Sequence, residues 1–321
     1  MISRVADNCF WMSRSLERAD TVTRLTDVNQ ALNLDVALPE SEQWRPLLLA
    51  TSVESELLAK HGRPALADGD KVREFLTWDE DNPCSVATSL RQARENARRV
   101  RETISLEMWE TVNHTWTWLG TGDTRKLYDR DAPAFYASLR ERFLLFHGVT
   151  LNTMLHEEPF DFMRLGFALE RAAQTARVAD IKHHRLGETV SPQETPADAA
   201  QWIALLRSCL GIEAFLKRSA NVLNGHRVLS FLLFDHSFPH SVAHNVDRAR
   251  NFLERVRAGS PARIGRRAGS ELEQLIRVVK RSDVDRVVAS GVHEFLDDVI
   301  ARVNRVCEAV EADFFSRPAA A

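Results

Sequence analysis

Leu16-Glu17-Arg18-Ala19, followed by Arg24 and Asp27-Val28, returns later in the chain as Leu169-Glu170-Arg171-Ala172, Arg177 and Asp180-Ile181. The spacing is constant, since 170 − 17 and 177 − 24 both give 153. Phe75-Leu76, Asp79, Pro83 and Ser85-Val86-Ala87 return as Phe231-Leu232, Asp235, Pro239 and Ser241-Val242-Ala243, where 235 − 79 gives 156. Trp44 and Leu47-Leu48 return as Trp202 and Leu205-Leu206, where 202 − 44 gives 158. Three blocks in one order at nearly one offset read as a duplicated unit of about 150 residues. The expected halves are residues 1–155 and 156–316, sharing one core, with 317–321 a frayed tail.

Helical periodicity dominates both halves. Cys9, Met12, Leu16, Ala19, Thr23 and Thr26 recur at spacings of three and four, which is one face of a helix. Phe162, Leu165, Leu169, Ala172, Ala176 and Ala179 repeat that face, and the alanines invite close approach of a neighbour. Further helical patterns cover 42–60, 83–113, 133–154, 197–221, 228–234, 239–257, 270–280 and 284–315. Asn82-Pro83 and Ala132-Pro133 read as helix starts. Residues 187–196 read as a surface loop. Alternation never persists long enough for a strand. The expected fold is an all-α bundle of two pseudo-equivalent, duplicated halves.

Composition excludes several classes. A net charge of −3 argues against nucleic acid as the main partner. No apolar run approaches the ~18 residues of a membrane span. No signal peptide leads the chain, and the four cysteines lie far apart without a C-x-x-C, so a reducing, cytoplasmic setting is expected. Gly120-Thr121-Gly122-Asp123 lacks the lysine and spacing of a phosphate loop, and no G-x-S-x-G occurs. No cofactor is expected on the chain itself; if ATP is used, a partner supplies its site.

The repeated charges are the candidate chemistry. Arg24 lies about 20° from Glu17 round a helix, so the two share a face two turns apart. Glu17, Arg24, Glu170 and Arg177 are the catalytic candidates. Arg14, Arg18, Asp27, Arg171, Asp180, Asp79, Asp235 and Trp109 are the substrate-binding candidates. Two readings stand for the paired charges. They clamp each helix to its neighbours, using the planar arginine fork. Or carboxylates from both copies face one cavity as bases, with arginines holding a carboxylate or phosphate. Asp20 is matched by Ala173, so it lacks a counterpart in the repeat.

The minor candidates each carry a bland alternative. His240 and His244, four apart at a helix start, are weak metal ligands, because Pro239 interrupts the helix and no H-E-x-x-H follows. Asp79 and Asp235 precede the Pro-marked helix starts, as caps or as ligands for a cation or amine. Trp109, with Trp116 and Trp118, either anchors a bundle end or lines a pocket. Arg263, Arg266 and Arg267 form a basic loop that is either solvated or faces an acidic partner.

Met1-Ile2-Ser3-Arg4-Val5-Ala6-Asp7-Asn8, then Trp11 through Asp20, resembles the opening of the alpha-E domain family. Ser105-Leu106-Glu107-Met108-Trp109-Glu110, Arg164-Leu165-Gly166 and Phe231-Leu232-Leu233-Phe234-Asp235 look like three further signatures of it. The resemblance covers nearly the whole chain. It implies an all-helical protein encoded beside, or fused to, a circularly permuted ATP-grasp amidoligase. Transglutaminase-like proteases are frequent neighbours. The implied context is amide-forming chemistry on a small peptide or amino-acid metabolite, with no catalytic residues supplied. His240 departs from the pattern, standing where an arginine-like residue is expected. Three functions follow: an accessory partner of that ligase; an enzyme acting through the paired Glu and Arg, with its status as an enzyme left open; or a helical scaffold with no small-molecule site.

Overall fold

The computed structural model describes residues 3–36, 43–186, 195–261 and 264–316. Arg263, most of the 187–196 loop and the 317–321 tail lie outside them. The described residues form sixteen α-helices and no strand. In the first part these are α1 (Ser3–Asp35), α2 (Arg45–Ala50), α3 (Glu54–His61), α4 (Gly69–Thr77), α5 (Val86–Arg99), α6 (Leu106–Leu119), α7 (Gly122–Arg130) and α8 (Ala132–Thr153). In the second they are α9 (Glu158–Leu186), α10 (Pro196–Ser208), α11 (Ile212–Arg218), α12 (Gly225–Phe234), α13 (Val242–Ala258), α14 (Arg266–Arg281), α15 (Val284–Ser290) and α16 (Val292–Val310).

The two longest helices, α1 and α9, pack on each other at the centre. Both apolar faces read from the sequence are buried throughout. Beyond those faces Ser13, Arg14, Glu17, Asp20, Thr21 and Arg24 of α1 are also buried, so this helix is enclosed nearly all round. Its threonines stay satisfied: Thr23 and Thr26 donate to the carbonyls of Ala19 and Val22, at 2.7 and 2.8 Å. Around this pair, α1 carries α5 and α8 and receives α10, while α9 carries α13 and α16 and receives α2.

The closest approach falls at Gly166. A Cβ there would lie 2.6 Å from the carbonyl oxygen of Phe10 and overlap the Ser13 hydroxyl, which itself donates to Phe10 O. Only glycine lets the two backbones meet. Two outer contacts also use glycine, Trp44 lying over Gly69 and Trp202 over Gly225.

Several long sequence patterns are broken by short turns. The 42–60 pattern divides at Ser52 (φ 57) and the 197–221 pattern at Leu210 (φ 54), both left-handed. The 284–315 pattern divides at Gly291 (φ 108). The helix expected from Pro83 begins instead at Val86, with Ser85 Oγ accepting from Thr88 N, and ends at Arg99. Asn82 is used otherwise: its side chain donates to Phe75 O and accepts from Cys84 N. Ser241 caps α13 in the same manner as Ser85. Each such cap contributes about 1 kcal/mol. Pro133 does sit in the first turn of α8, behind the Asp131 cap. No single described helix is long and apolar enough to cross a membrane.

Candidate functional site

One turn beyond the Gly166 crossing, α1 and α9 exchange charges. Arg171 of α9 grips Glu17 of α1 with two hydrogen bonds, at 2.7 and 2.6 Å. Arg18 of α1 grips Glu170 of α9, at 2.9 and 3.3 Å. Arg14 adds a bond of 2.8 Å to Glu170, and Gln174 one of 2.9 Å. Both carboxylates are inaccessible to solvent. Burial pushes the Glu170 carboxyl up, but Arg18 and Arg14 outweigh it and hold the group well below the usual carboxylate range. Glu17 is likewise lowered, against burial, by Arg171.

Partnership along one helix is therefore secondary. Arg24 lies 3.9 Å from Glu17 and 3.1 Å from Asp20, reaches Thr21 Oγ1 at 3.2 Å, and donates to the carbonyl of Ser208. Its Nε has no hydrogen-bond partner among the described residues. Burial outweighs Arg24 at Asp20 and raises that carboxyl. Arg177, the expected partner of Glu170, makes no hydrogen bond or ion pair among the described residues. Burial lowers its pKa, although Glu170 opposes that. The space enclosed by Glu17, Arg24, Arg171, Ser208, Cys209 and His240 admits on the order of one water molecule.

The remaining sequence candidates find partners within the chain. Asp27 binds Arg140 across to α8, and Asp180 binds His293 at 2.9 Å. Asp79 takes Lys60 at 2.8 Å and Asp235 takes Arg218 at 2.9 Å. Asp235 also accepts from the N–H groups of Ser237 and Phe238. The place for an external amine is thus filled at both positions. Trp109 lies under Arg94 and Arg101, at 5.8 and 4.8 Å, and Trp118 stacks on Phe135. Among the described residues the compact groups able to hold a cation are Glu17–Asp20–His147 and Asp180–His293–Asp297. His240 and His244 belong to neither, and His244 Nδ1 lies 2.8 Å from His236 O.

His147 on α8 escaped the sequence reading. Its Nε2 lies 3.7 Å from Glu17, and its ring packs on Phe167 at 4.6 Å. A lone histidine among Phe143, Phe146 and Thr150 carries no motif. Burial first, then Arg171, pushes its pKa down to about 3. An unfolded histidine titrates near 6.5, so below that the unfolded chain binds more protons and stability falls as the pH drops toward 3. The buried glutamates add to this only below about 4.5. Between about pH 6.5 and 4.5, His147→Gln is expected to lose less stability than the parent chain. Urea unfolding across that window checks this; equal slopes would count against it.

A family model described as Alpha-E, a predicted alpha-helical domain with a conserved ER motif, matches residues 1–315. Four Glu-Arg dipeptides occur, at 17, 141, 170 and 254, and only Glu17-Arg18 and Glu170-Arg171 have a buried glutamate. Uncharacterized proteins of Mycobacterium bovis and of two strains of Mycobacterium tuberculosis are each 24% identical to 94% of the chain. The chain spans 35% of the length of these relatives. No solved structure matches it.

Proposed function

The chain belongs to the Alpha-E family, and from that premise we propose that it is an accessory partner of an ATP-grasp amidoligase acting on a small peptide or amino-acid metabolite. The observation that carries this reading is the pairing of a closed charge network with an open apolar surface. Glu17 and Glu170 are saturated by arginines, and the space beside Glu17 is water-sized. Catalysis through Glu17, Arg24, Glu170 and Arg177 would need room for a substrate at those charges. Elsewhere, Leu144, Leu145 and Leu151 of α8, Leu155 just past its end, and Leu106 are exposed. We read these exposed leucines as a surface for a partner, which favours the accessory role over an inert scaffold.

The nucleotide site, on this reading, belongs to the ligase, and a transglutaminase-like protease is a further neighbour in the same cytoplasmic setting. We also infer that residues 1–155 and 156–316 are copies of one unit around a shared core. Supporting this are the reciprocal Glu17–Arg171 and Glu170–Arg18 grips, and the matched pairs Lys60–Asp79 and Arg218–Asp235. The Trp44–Gly69 and Trp202–Gly225 contacts and the left-handed residues Ser52 and Leu210 point the same way.

Co-expression of the tagged chain with an ATP-grasp ligase of the same organism is the test. The ligase is expected to co-purify. Leu151→Glu with Leu155→Glu should abolish recovery while changing stability by no more than about 0.5 kcal/mol, as for surface positions. Failure of the ligase to bind, or retention by the double variant, would overturn the reading.

A further inference from the structure

The grips on Glu17 and Glu170 account for Arg14, Arg18 and Arg171. Besides Arg177, two guanidiniums that neighbour each other have no such account. Arg164 on α9 and Arg248 on α13 make no ion pair or hydrogen bond among the described residues, and the Nε of Arg164 is buried without a partner. Both lie over the ring of Phe252, at 5.9 and 5.1 Å from its centroid. Arg164 also lies 5.6 Å from the centroid of Phe167, the ring against which His147 packs. Three helices therefore bring two unpaired arginines and a histidine to an aromatic floor of Phe167 and Phe252.

The surroundings add positive charge and little negative charge. Arg171 follows Arg164 by two turns on the same face of α9. His244 precedes Arg248 by one turn on α13. Three carboxylates on or facing these elements, Glu17, Asp161 and Asp247, are already engaged. Glu17 is 3.7 Å from His147, but both its oxygens take Arg171. Asp161, one turn before Arg164, takes Arg255 at 3.0 Å. Asp247, beside Arg248, takes His236 at 2.6 Å. Arg164, Arg248, His147 and His244 are all half-buried, so the group is reached from solvent.

Half-burying two neighbouring cations without a counter-charge is costly. The cost is felt at each group. Burial, then the charges of Arg248 and Arg171, pushes Arg164 down to about 10. Burial and Arg171 lower Arg248 as well. A bound anion removes both the desolvation and the repulsion, and the planar arginine fork matches two oxygens at once.

We propose that Arg164 and Arg248, over the Phe167–Phe252 floor, hold a small oxyanion, the phosphoryl or carboxylate group of a metabolite. The site does not include the exposed leucines of α8 and does not depend on the ligase partnership.

Isothermal titration of the purified full chain with inorganic phosphate, and separately with glutarate, tests it. Binding of phosphate alone assigns a phosphoryl ligand, and binding of glutarate alone a carboxylate. Arg164→Gln with Arg248→Gln should weaken binding by at least about tenfold, and the anion-free variant should melt no lower than the parent. If the double variant fails to fold, Arg248→Gln alone carries the same expectation. Nitrogen-15 NMR of His147 gives a second readout: the anion should raise its pKa in the parent and not in the variant. Absence of binding by either anion below a Kd of about 1 mM, or unaltered binding by the variant, overturns the proposal.

Discussion

Glu170→Ala is expected to be among the most damaging single changes the chain can carry. The carboxylate is fully buried and receives Arg18, Arg14 and Gln174 together. Alanine leaves two guanidiniums facing each other between α1 and α9 with no anion. Removing one partner of a buried ion pair costs ~3–5 kcal/mol, a large part of the 5–15 kcal/mol or so that holds a typical domain folded. Glu17→Ala should cost a comparable amount, because Arg171 would lose both its bonds and Arg24 its second carboxylate. Urea unfolding of the two variants checks this. A loss under about 1 kcal/mol in either, the level of a surface pair, would mean that the grip does not support the fold.

Gly166→Ala is the second. The added methyl would meet the Phe10 carbonyl at 2.6 Å, and a backbone oxygen within α1 cannot swing aside. The helices must separate, and overpacking of this kind costs ~1–3 kcal/mol, occasionally more. The true cost should lie at the upper end, since separation also stretches the arginine grips one turn away. Ser13→Gly frees the hydroxyl but leaves the carbonyl, so it should not rescue the variant. A thermal midpoint equal to that of the parent, or full rescue by Ser13→Gly, would contradict this account of the crossing.

What the sequence made legible was periodicity. The 3–4 spacing from Cys9 to Thr26 identifies a buried helical face, and burial of each of those residues follows. Period does not reveal partners across helices. Glu17 and Arg24 do share a face, but an arginine on a second helix reaches Glu17 more directly than one two turns away. Arg177 shows the same limit from the other side: the pattern pairs it with Glu170, whose oxygens Arg14, Arg18 and Gln174 already occupy. Helix ends were blurred where a left-handed residue carries no chemical signature. Ser52 and Leu210 are neither glycine nor asparagine, so two continuous patterns concealed sharp turns. His147 and Arg248 were invisible because their meaning lies in what packs beside them. Asp79 and Asp235 were visible as a pair, but their filling by Lys60 and Arg218 depends on a helix-end contact that no motif encodes.

The reciprocal grip also sets a timetable for biosynthesis. Glu17 and its arginine are 154 positions apart, and Arg18 and its glutamate 152. During translation the first helix leaves the ribosome with Glu17, Arg14 and Arg18 all lacking their counter-charges. At ~5–20 residues per second the missing helix arrives roughly 8 to 30 s later. Until then α1 cannot be enclosed without stranding charge, so the early-made portion stays open to chaperones and proteases. Slowing elongation between codons 30 and 170 should therefore increase proteolysis of the nascent chain more than the same delay placed after codon 200.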